Sequence, residues 1–246
     1  MKAILTYHSI DPSGSPISVS PDPFEAHIRW LSTGRVRVVP LEELGRLSAD
    51  VDAVAITFDD GFENFATQAL EPLLSAGLAA TVFVVTRQVG QTNAWGGRRD
   101  SVIPELPLLD WDSLGRIAER GVRLGAHSRT HPSLPALSGS ALEDEVRGSA
   151  TDLGERLGTV PATFAYPYGA VSPAVASLVH QTYDLAVTTE FRMLKPDDGS
   201  HLLPRLDMYY FREAGRLERW GTPAFRRHLW FRAELRRARR VLSGRS

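Results

Sequence analysis

Short apolar runs alternate with longer amphipathic stretches along this chain. The runs predict strands at Ala3–Tyr7, Val36–Val39, Ala53–Phe58, Ala80–Val85, Arg123–Ala126, Thr163–Tyr166 and Asp184–Thr188. The stretches between them predict helices at Glu25–Ser32, Leu41–Leu47, Asn64–Ala76, Trp111–Arg120, Ala141–Leu157 and Pro173–Thr182. Spacing near 3.6 is clearest through Leu142, Val146, Leu153 and Leu157. Strand and helix alternating in this way argue for parallel strands joined by crossover helices. Seven such units point to an α/β barrel of irregular form, and no sequence repeat or low-complexity segment interrupts them.

Two stretches depart from the rhythm. Thr86 to Leu109 is a long connection carrying Gly90, Gly96, Gly97, Pro104 and Pro107, with Trp95 among them. Loops of that length in compact domains are functional or disordered, so a lid or a substrate-groove wall competes here with a disordered connector. The second departure is the C-terminus, where residues 212–246 hold eleven Arg against three Glu. Thr222 and Pro223 form an N-cap and first helical position, and Gly244 a stop. Phe225, Leu229, Phe231, Leu235, Ala238 and Leu242 fall roughly on one helical face, with arginines over much of the rest. One expectation is a terminal helix packed on the barrel with a solvated basic face. The other is an interfacial helix making peripheral membrane contact, helped by Trp230. The expected division is a catalytic domain over 1–211 and a basic amphipathic extension over 212–246.

Composition narrows the chemistry. The 246 residues carry a formal net charge of −1, which argues against a generic nucleic-acid binder. With no cysteine there is no thiolate site, so any metal must be held by His, Asp or Glu. The opening apolar stretch stops at His8, too early for a secretory signal, and the expected location is cytoplasmic. The longest apolar run, Leu78 to Val85, is far below the ~20 residues of a membrane span.

Three strand ends hold groups that can do chemistry. Thr57-Phe58-Asp59-Asp60-Gly61 closes an apolar strand with two adjacent carboxylates. Asp-Asp-Gly alone is most often a turn, but the C-terminal ends of strands hold the active site in parallel α/β folds. Vicinal carboxylates can divide labour, one binding a metal and the other taking a proton. His127-Ser128-Arg129-Thr130-His131 follows another strand, and Pro132 disfavours helical geometry at His131. Two histidines and one carboxylate make a set that leaves positions open for water and substrate. Phe164-Ala165-Tyr166-Pro167-Tyr168-Gly169 is either a punctuated strand stop or a site wall, where a backbone N–H near Tyr168 could face an oxyanion.

These motifs, in this order, resemble the polysaccharide deacetylases of the NodB-homology type, carbohydrate esterase family 4. Thr57–Gly61 matches that family's TFDDG, His127–His131 its H-S/T-x-x-H, and Tyr166–Gly169 more loosely its R-x-P-Y-G. Tyr7-His8-Ser9-Ile10 and Leu109–Leu114 are similar too, so the likeness runs from Leu5 to Leu206. The resemblance implies an irregular (β/α)7-type barrel and a divalent metal, zinc first, with Co2+, Ni2+, Fe2+ or Mn2+ as alternatives. Its ligands would be Asp60, His127 and His131, with Asp59 the general base and the Tyr168 N–H an oxyanion donor. The implied activity is removal of an N-acyl group, acetyl first, from an amino sugar or an N-acetylglucosamine-containing saccharide.

Two positions depart from the family pattern. Ala165 stands where the family's third motif begins with Arg, and Arg205 in Leu203-Pro204-Arg205-Leu206 could orient the base instead by a charge-assisted bond. The family's late Leu-x-His, source of the general acid, has no clear match. His201 and His8 are the candidates, and a lone histidine is more often structural. The expectation of an unexported protein favours a substrate made inside the cell, nucleotide-linked or lipid-linked. A deformylase of a lipid-linked sugar, a hydrolase of a non-sugar amide, a non-catalytic carbohydrate-binding relative and a membrane-associated scaffold are the rivals.

Overall fold

In the computed structural model the described residues are 1–95 and 102–242, with side chains to Ala238. The chain opens with β1 (Lys2–Tyr7), then a small parallel pair, β2 (Ser9–Ile10) and β3 (Ser18–Val19). Next come α1 (Pro21–Leu31), β4 (Arg37–Val38), α2 (Leu41–Leu44) and β5 (Ala53–Phe58). A π-helical turn, Phe65–Ala69, runs into α3 (Leu70–Ser75) and β6 (Ala80–Val84). After the long connection follow α4 (Trp111–Glu119), β7 (Arg123–Ala126), α5 (Gly139–Leu157) and β8 (Thr163–Ala165). The last elements are α6 (Pro173–Thr182), β9 (Leu185–Val187), β10 (Leu206–Asp207) and α7 (Pro223–Leu242).

All seven strands expected from the apolar runs are present, and every pairing among them is parallel. The sheet runs β10-β1-β5-β6-β7-β8-β9, and β4 pairs with the start of β5. Its two ends meet through residues 203–207. Leu203 bridges to Val187 of β9, while Leu206 and Asp207 pair with Leu5 and Thr6 of β1. At two residues, β10 is too short to leave a periodic signal, which is why the sequence pattern misses it. Helix α1 starts four residues ahead of its expected boundary because Pro21 occupies its first turn and Phe24 is already core. The helix expected over Asn64–Ala76 is instead split, its first turn widened to π geometry. There Asn64 is tied sideways to β2, accepting from the Ile10 N–H at 3.1 Å and donating to Ser9 Oγ at 2.6 Å.

The barrel interior follows from strand alternation, which sends every second side chain to one face. Ala3, Leu5 and Tyr7 of β1 join the large core under the helices, whereas Ile4 joins a smaller cluster with Ala53, Ala55, Phe83, Ala165, Val187 and Leu203. That cluster is the inside of the barrel. Above it Thr6 and Thr57 meet, Oγ1 to Oγ1, at 3.2 Å. One more step along the same parity brings His8, Asp59 and His127 to the mouth. Phe83 is accommodated because its neighbour is Gly125: a Cβ there would lie 2.5 Å from the Phe83 ring and 2.6 Å from Thr163 Oγ1.

Helix α7 starts as its sequence predicts, with the Phe225 N–H donating to Thr222 Oγ1 at 3.2 Å. Phe225 is buried against Phe211 and Trp220 in the large core. The helix begins near the base of the barrel, where Trp220 Nε1 donates to Asp52 at 3.1 Å. It ends near the mouth, where Arg236 donates to the Thr189 carbonyl at 2.9 Å. Gly96, Gly97, Gly244 and the Leu242 side chain lie outside the described residues.

Two substitutions test this packing. Gly125→Ala should cost about 1–3 kcal/mol through overpacking, and Phe225→Ala about 3–5 kcal/mol through the cavity left behind. Both are read as a lower urea midpoint at unchanged slope. An unshifted midpoint for either would count against the corresponding contact.

Candidate metal centre at the barrel mouth

Asp59 and Asp60 close β5, both buried, at the C-terminal end of the sheet. Alternation aims Asp59 inward, and its backbone N–H still donates to the Tyr7 carbonyl at 2.9 Å. Asp60 leaves the strand with φ of 70°. Among the described residues four non-glycine residues have left-handed backbone: Asp60, Ser128 at 62°, His131 at 60° and Tyr168 at 59°. All four lie in the three motif loops. Such conformations cost on the order of 1–3 kcal/mol each and persist where surrounding structure enforces them.

The enforcing contacts can be named. His131 N–H donates to Ser128 Oγ at 3.0 Å, turning the loop back on itself. Glu145 of α5, buried, accepts from the Arg129 N–H at 2.8 Å, the Thr130 N–H at 2.9 Å and Thr130 Oγ1 at 2.6 Å. Sequence reasoning missed Glu145, though one signal was there: it is an acid inside the apolar stripe of α5, next to Val146. Arg129 is clamped in turn by Asp152, at 2.6 and 2.9 Å, and by Asp144.

His127 and His131 converge on Asp60. Their Nε2 atoms are 3.2 Å apart, and each is 3.5 Å from Asp60 Oδ1. His127 Nδ1 lies 2.7 Å from the Ala165 carbonyl, so Nδ1 carries the proton and the Nε2 lone pair faces His131 and Asp60. Burial, then the neighbouring His127, pushes the His131 imidazole well below its usual range and leaves it neutral. Burial likewise pushes the Asp60 carboxyl up, and its Oδ1 has no hydrogen-bond partner among the described residues. The three donor atoms lie within 4.8 Å of one another. An orphaned buried carboxylate oxygen facing two imidazole lone pairs fits a divalent cation, and the N,N,O donor set suits zinc.

Asp59 meets the opposite environment. Arg205 grips it with two parallel bonds, Nη1 to Oδ1 and Nη2 to Oδ2, both 2.7 Å. Arg205 is itself held by the Thr188 carbonyl at 2.9 Å, beyond β9. Burial alone would push the Asp59 carboxyl up, but the Arg205 charge and its two bonds outweigh that and hold it well below the usual carboxylate range. The Arg missing at Ala165 thus has a structural counterpart on the 203–207 segment, which bridges to β9, the strand next to β8.

The histidine candidates separate. His8 Nε2 lies 3.7 Å from Asp59 Oδ2, with the side chain a quarter exposed. His201 is engaged elsewhere, Nδ1 with Ser200 Oγ and Nε2 with the Tyr183 carbonyl, both at 2.8 Å, and its ring packs at a tilt against His180. Aromatic residues frame the centre. Trp95, on the connection of 86–109, stacks on the His131 ring at 4.7 Å, and Tyr168 meets the same ring edge-on at 4.6 Å. That connection is pinned to the Asp60 turn, with the Leu109 N–H donating to the Gly61 carbonyl at 2.8 Å and the Glu63 N–H to the Pro107 carbonyl at 3.0 Å. Its described part is a wall of the mouth.

Comparison with known proteins agrees with this geometry. The family described as polysaccharide deacetylase matches residues 47–184. The chain belongs to that family. YxkH of Bacillus subtilis (strain 168), named for the same family, is 27% identical over 209 residues, covering 82% of this chain and 70% of YxkH. Among solved structures, the Streptococcus pyogenes deacetylase PplD, in complex with acetate, superposes with a TM-score of 0.71 at 23% identity, over 83% of this chain and 91% of PplD. IcaB from Ammonifex degensii also reaches a TM-score of 0.71, at 25% identity over 83% and 90%. The barrel is therefore the fold of polysaccharide deacetylases.

Removing the guanidinium should expose how this mouth is balanced. Arg205→Ala strands a buried carboxylate, and the expected loss is about 3–5 kcal/mol of stability. Equilibrium unfolding at neutral pH measures it, and a loss below about 1 kcal/mol would mean that Asp59 does not depend on Arg205.

Proposed function

We propose that this polysaccharide deacetylase-family chain is a metal-dependent N-deacetylase. It would hydrolyse the acyl C–N bond, acetyl first, of an amino sugar or an N-acetylglucosamine-containing saccharide. The observation that carries this is the contrast between two adjacent buried carboxylates. Asp59 is held ionised by Arg205, while Asp60 faces two histidines with an unsatisfied oxygen. One is equipped to take a proton and the other to take a cation. A non-catalytic relative would have no need to keep the two apart.

Asp60, His127 and His131 would hold the cation, zinc by preference of the donor set. A cation there would polarise the acyl carbonyl and make water easier to deprotonate. Asp59 accepts the proton of the attacking water on a lone pair left free by the Arg205 fork, which holds the carboxylate ionised and fixed in orientation. The Tyr168 backbone N–H is assigned to the developing oxyanion. As the C–N bond breaks the amine needs a proton, and we assign its delivery to His8, the histidine at the mouth outside the ligand set.

Metal analysis of purified protein, together with acetate and formate release from a panel of N-acyl sugars, tests the scheme. Asp59→Asn should lower turnover by roughly 10²–10⁴-fold with metal content unchanged. His127→Ala should lower both together. Arg205→Ala should lower turnover by roughly 10–100-fold at unchanged metal content, and His8→Ala should lower kcat with metal and KM kept. Full turnover in the Asp59 or His127 variant would refute the hydrolytic scheme, and full turnover in the His8 variant would remove only that assignment.

A further inference from the structure

Seven large apolar side chains are exposed among the described residues, and three of them, Trp230 at 64%, Phe231 at 52% and Leu235 at 38%, lie within six positions of α7. Exposed Arg226, Arg227 and Arg237 share that outward face. Between Pro223 and Leu242 the sequence has seven arginines and one glutamate, although the chain as a whole carries a formal net charge of −1. The positive charge is thus concentrated on one helix. Its opposite face is already satisfied: Phe225 is core, Arg236 lies between Thr189 and Asp207, and Arg232 stacks on Tyr210 at 5.2 Å. Packing on the barrel therefore accounts for only one side of the helix.

We propose that the outward face of α7 seats the protein on an anionic phospholipid surface. Aromatic and aliphatic side chains flanked by guanidinium groups match the interfacial zone of a bilayer, apolar below and negatively charged above. No helix among the described residues is long and apolar enough to cross a membrane, so the contact is peripheral. Direction adds to the argument. Arg236 bonds the Thr189 carbonyl, and Thr189 Oγ1 lies 3.3 Å from the Tyr168 carbonyl. The last turns of α7 thus reach the rim of the metal centre, and a seated protein would hold its mouth beside the lipid headgroups. An N-acyl sugar carried on lipid, or lying against the membrane, would meet it there. The docking surface goes beyond the hydrolase reading and is tested by binding alone.

Sedimentation of the full chain with vesicles of phosphatidylglycerol and phosphatidylcholine, against phosphatidylcholine alone, measures it. Binding is expected only with the anionic lipid and should weaken as salt rises. Trp230→Ser with Phe231→Ser, both exposed and so tolerated by the fold, should weaken binding at least ten-fold. Arg226→Gln and Arg227→Gln should each cost about five-fold. Asp59→Asn should bind like the parent, which separates this surface from the hydrolytic reading. Any of three results would overturn the proposal: no binding by folded protein at low salt, binding indifferent to all four substitutions, or a dimer by light scattering that Trp230→Ser with Phe231→Ser dissolves. Duplex DNA bound as tightly as the anionic vesicles would also overturn it, by marking the helix as a general polyanion binder.

Discussion

Two carboxylates lie buried side by side at the end of β5, and each needs its own compensation. Charges this close and this deep cannot both stay ionised without partners. Arg205 answers for Asp59 with two bonds of 2.7 Å. For Asp60 the protein supplies imidazole nitrogens rather than a second cationic side chain, a setting that a divalent cation would suit. Chain connectivity places the partners on opposite sides of the mouth, Arg205 just before β10 and the histidines after β7. The contrast between the two carboxylates is therefore built by the closure of the barrel.

The rest of the mouth holds that arrangement rigid. Three loops carry left-handed residues at positions where extended backbone would point the side chains elsewhere, and each loop is braced. Glu145 takes three bonds from the histidine loop, Ser128 one, and the Ala165 carbonyl sets the His127 tautomer. Beneath them the interior is filled by one large ring, Phe83, against a glycine and several alanines. A close-packed floor of this kind resists the small shifts that would spoil the convergence of Asp60, His127 and His131.

Helix α7 joins this mouth to the outer surface of the barrel. Its inner face is locked by Phe225 at one end and Arg236 at the other. Its outer face combines exposed aromatic side chains and arginine, a combination that costs solvation in isolation. If that face meets lipid, the mouth and the attached surface lie within a single helix length of each other.

Much of this protein was legible in its sequence, because the deciding signals are local. Apolar runs bounded by turn residues marked seven strands, and carboxylates and histidines directly after apolar runs marked the mouth. Thr57–Gly61 and His127–His131 carry their chemistry within five residues each, so their resemblance to a family's motifs is visible without the fold. The tertiary structure decided what depends on distant segments. Arg205 is 146 residues from Asp59, and only closure of the sheet through residues 203–207 turns a candidate arginine into a fork on that carboxylate. Glu145 looks like an ordinary helix acid until α5 lies under the histidine loop. His8 and His201 are equal as lone histidines, yet one continues the inward parity of β1 while the other has both nitrogens engaged away from the mouth. Sequence determines which groups are available and on which face of an element they sit. Which of them meet is settled by the barrel's closure, where charges from opposite ends of the chain are buried in the same few ångströms.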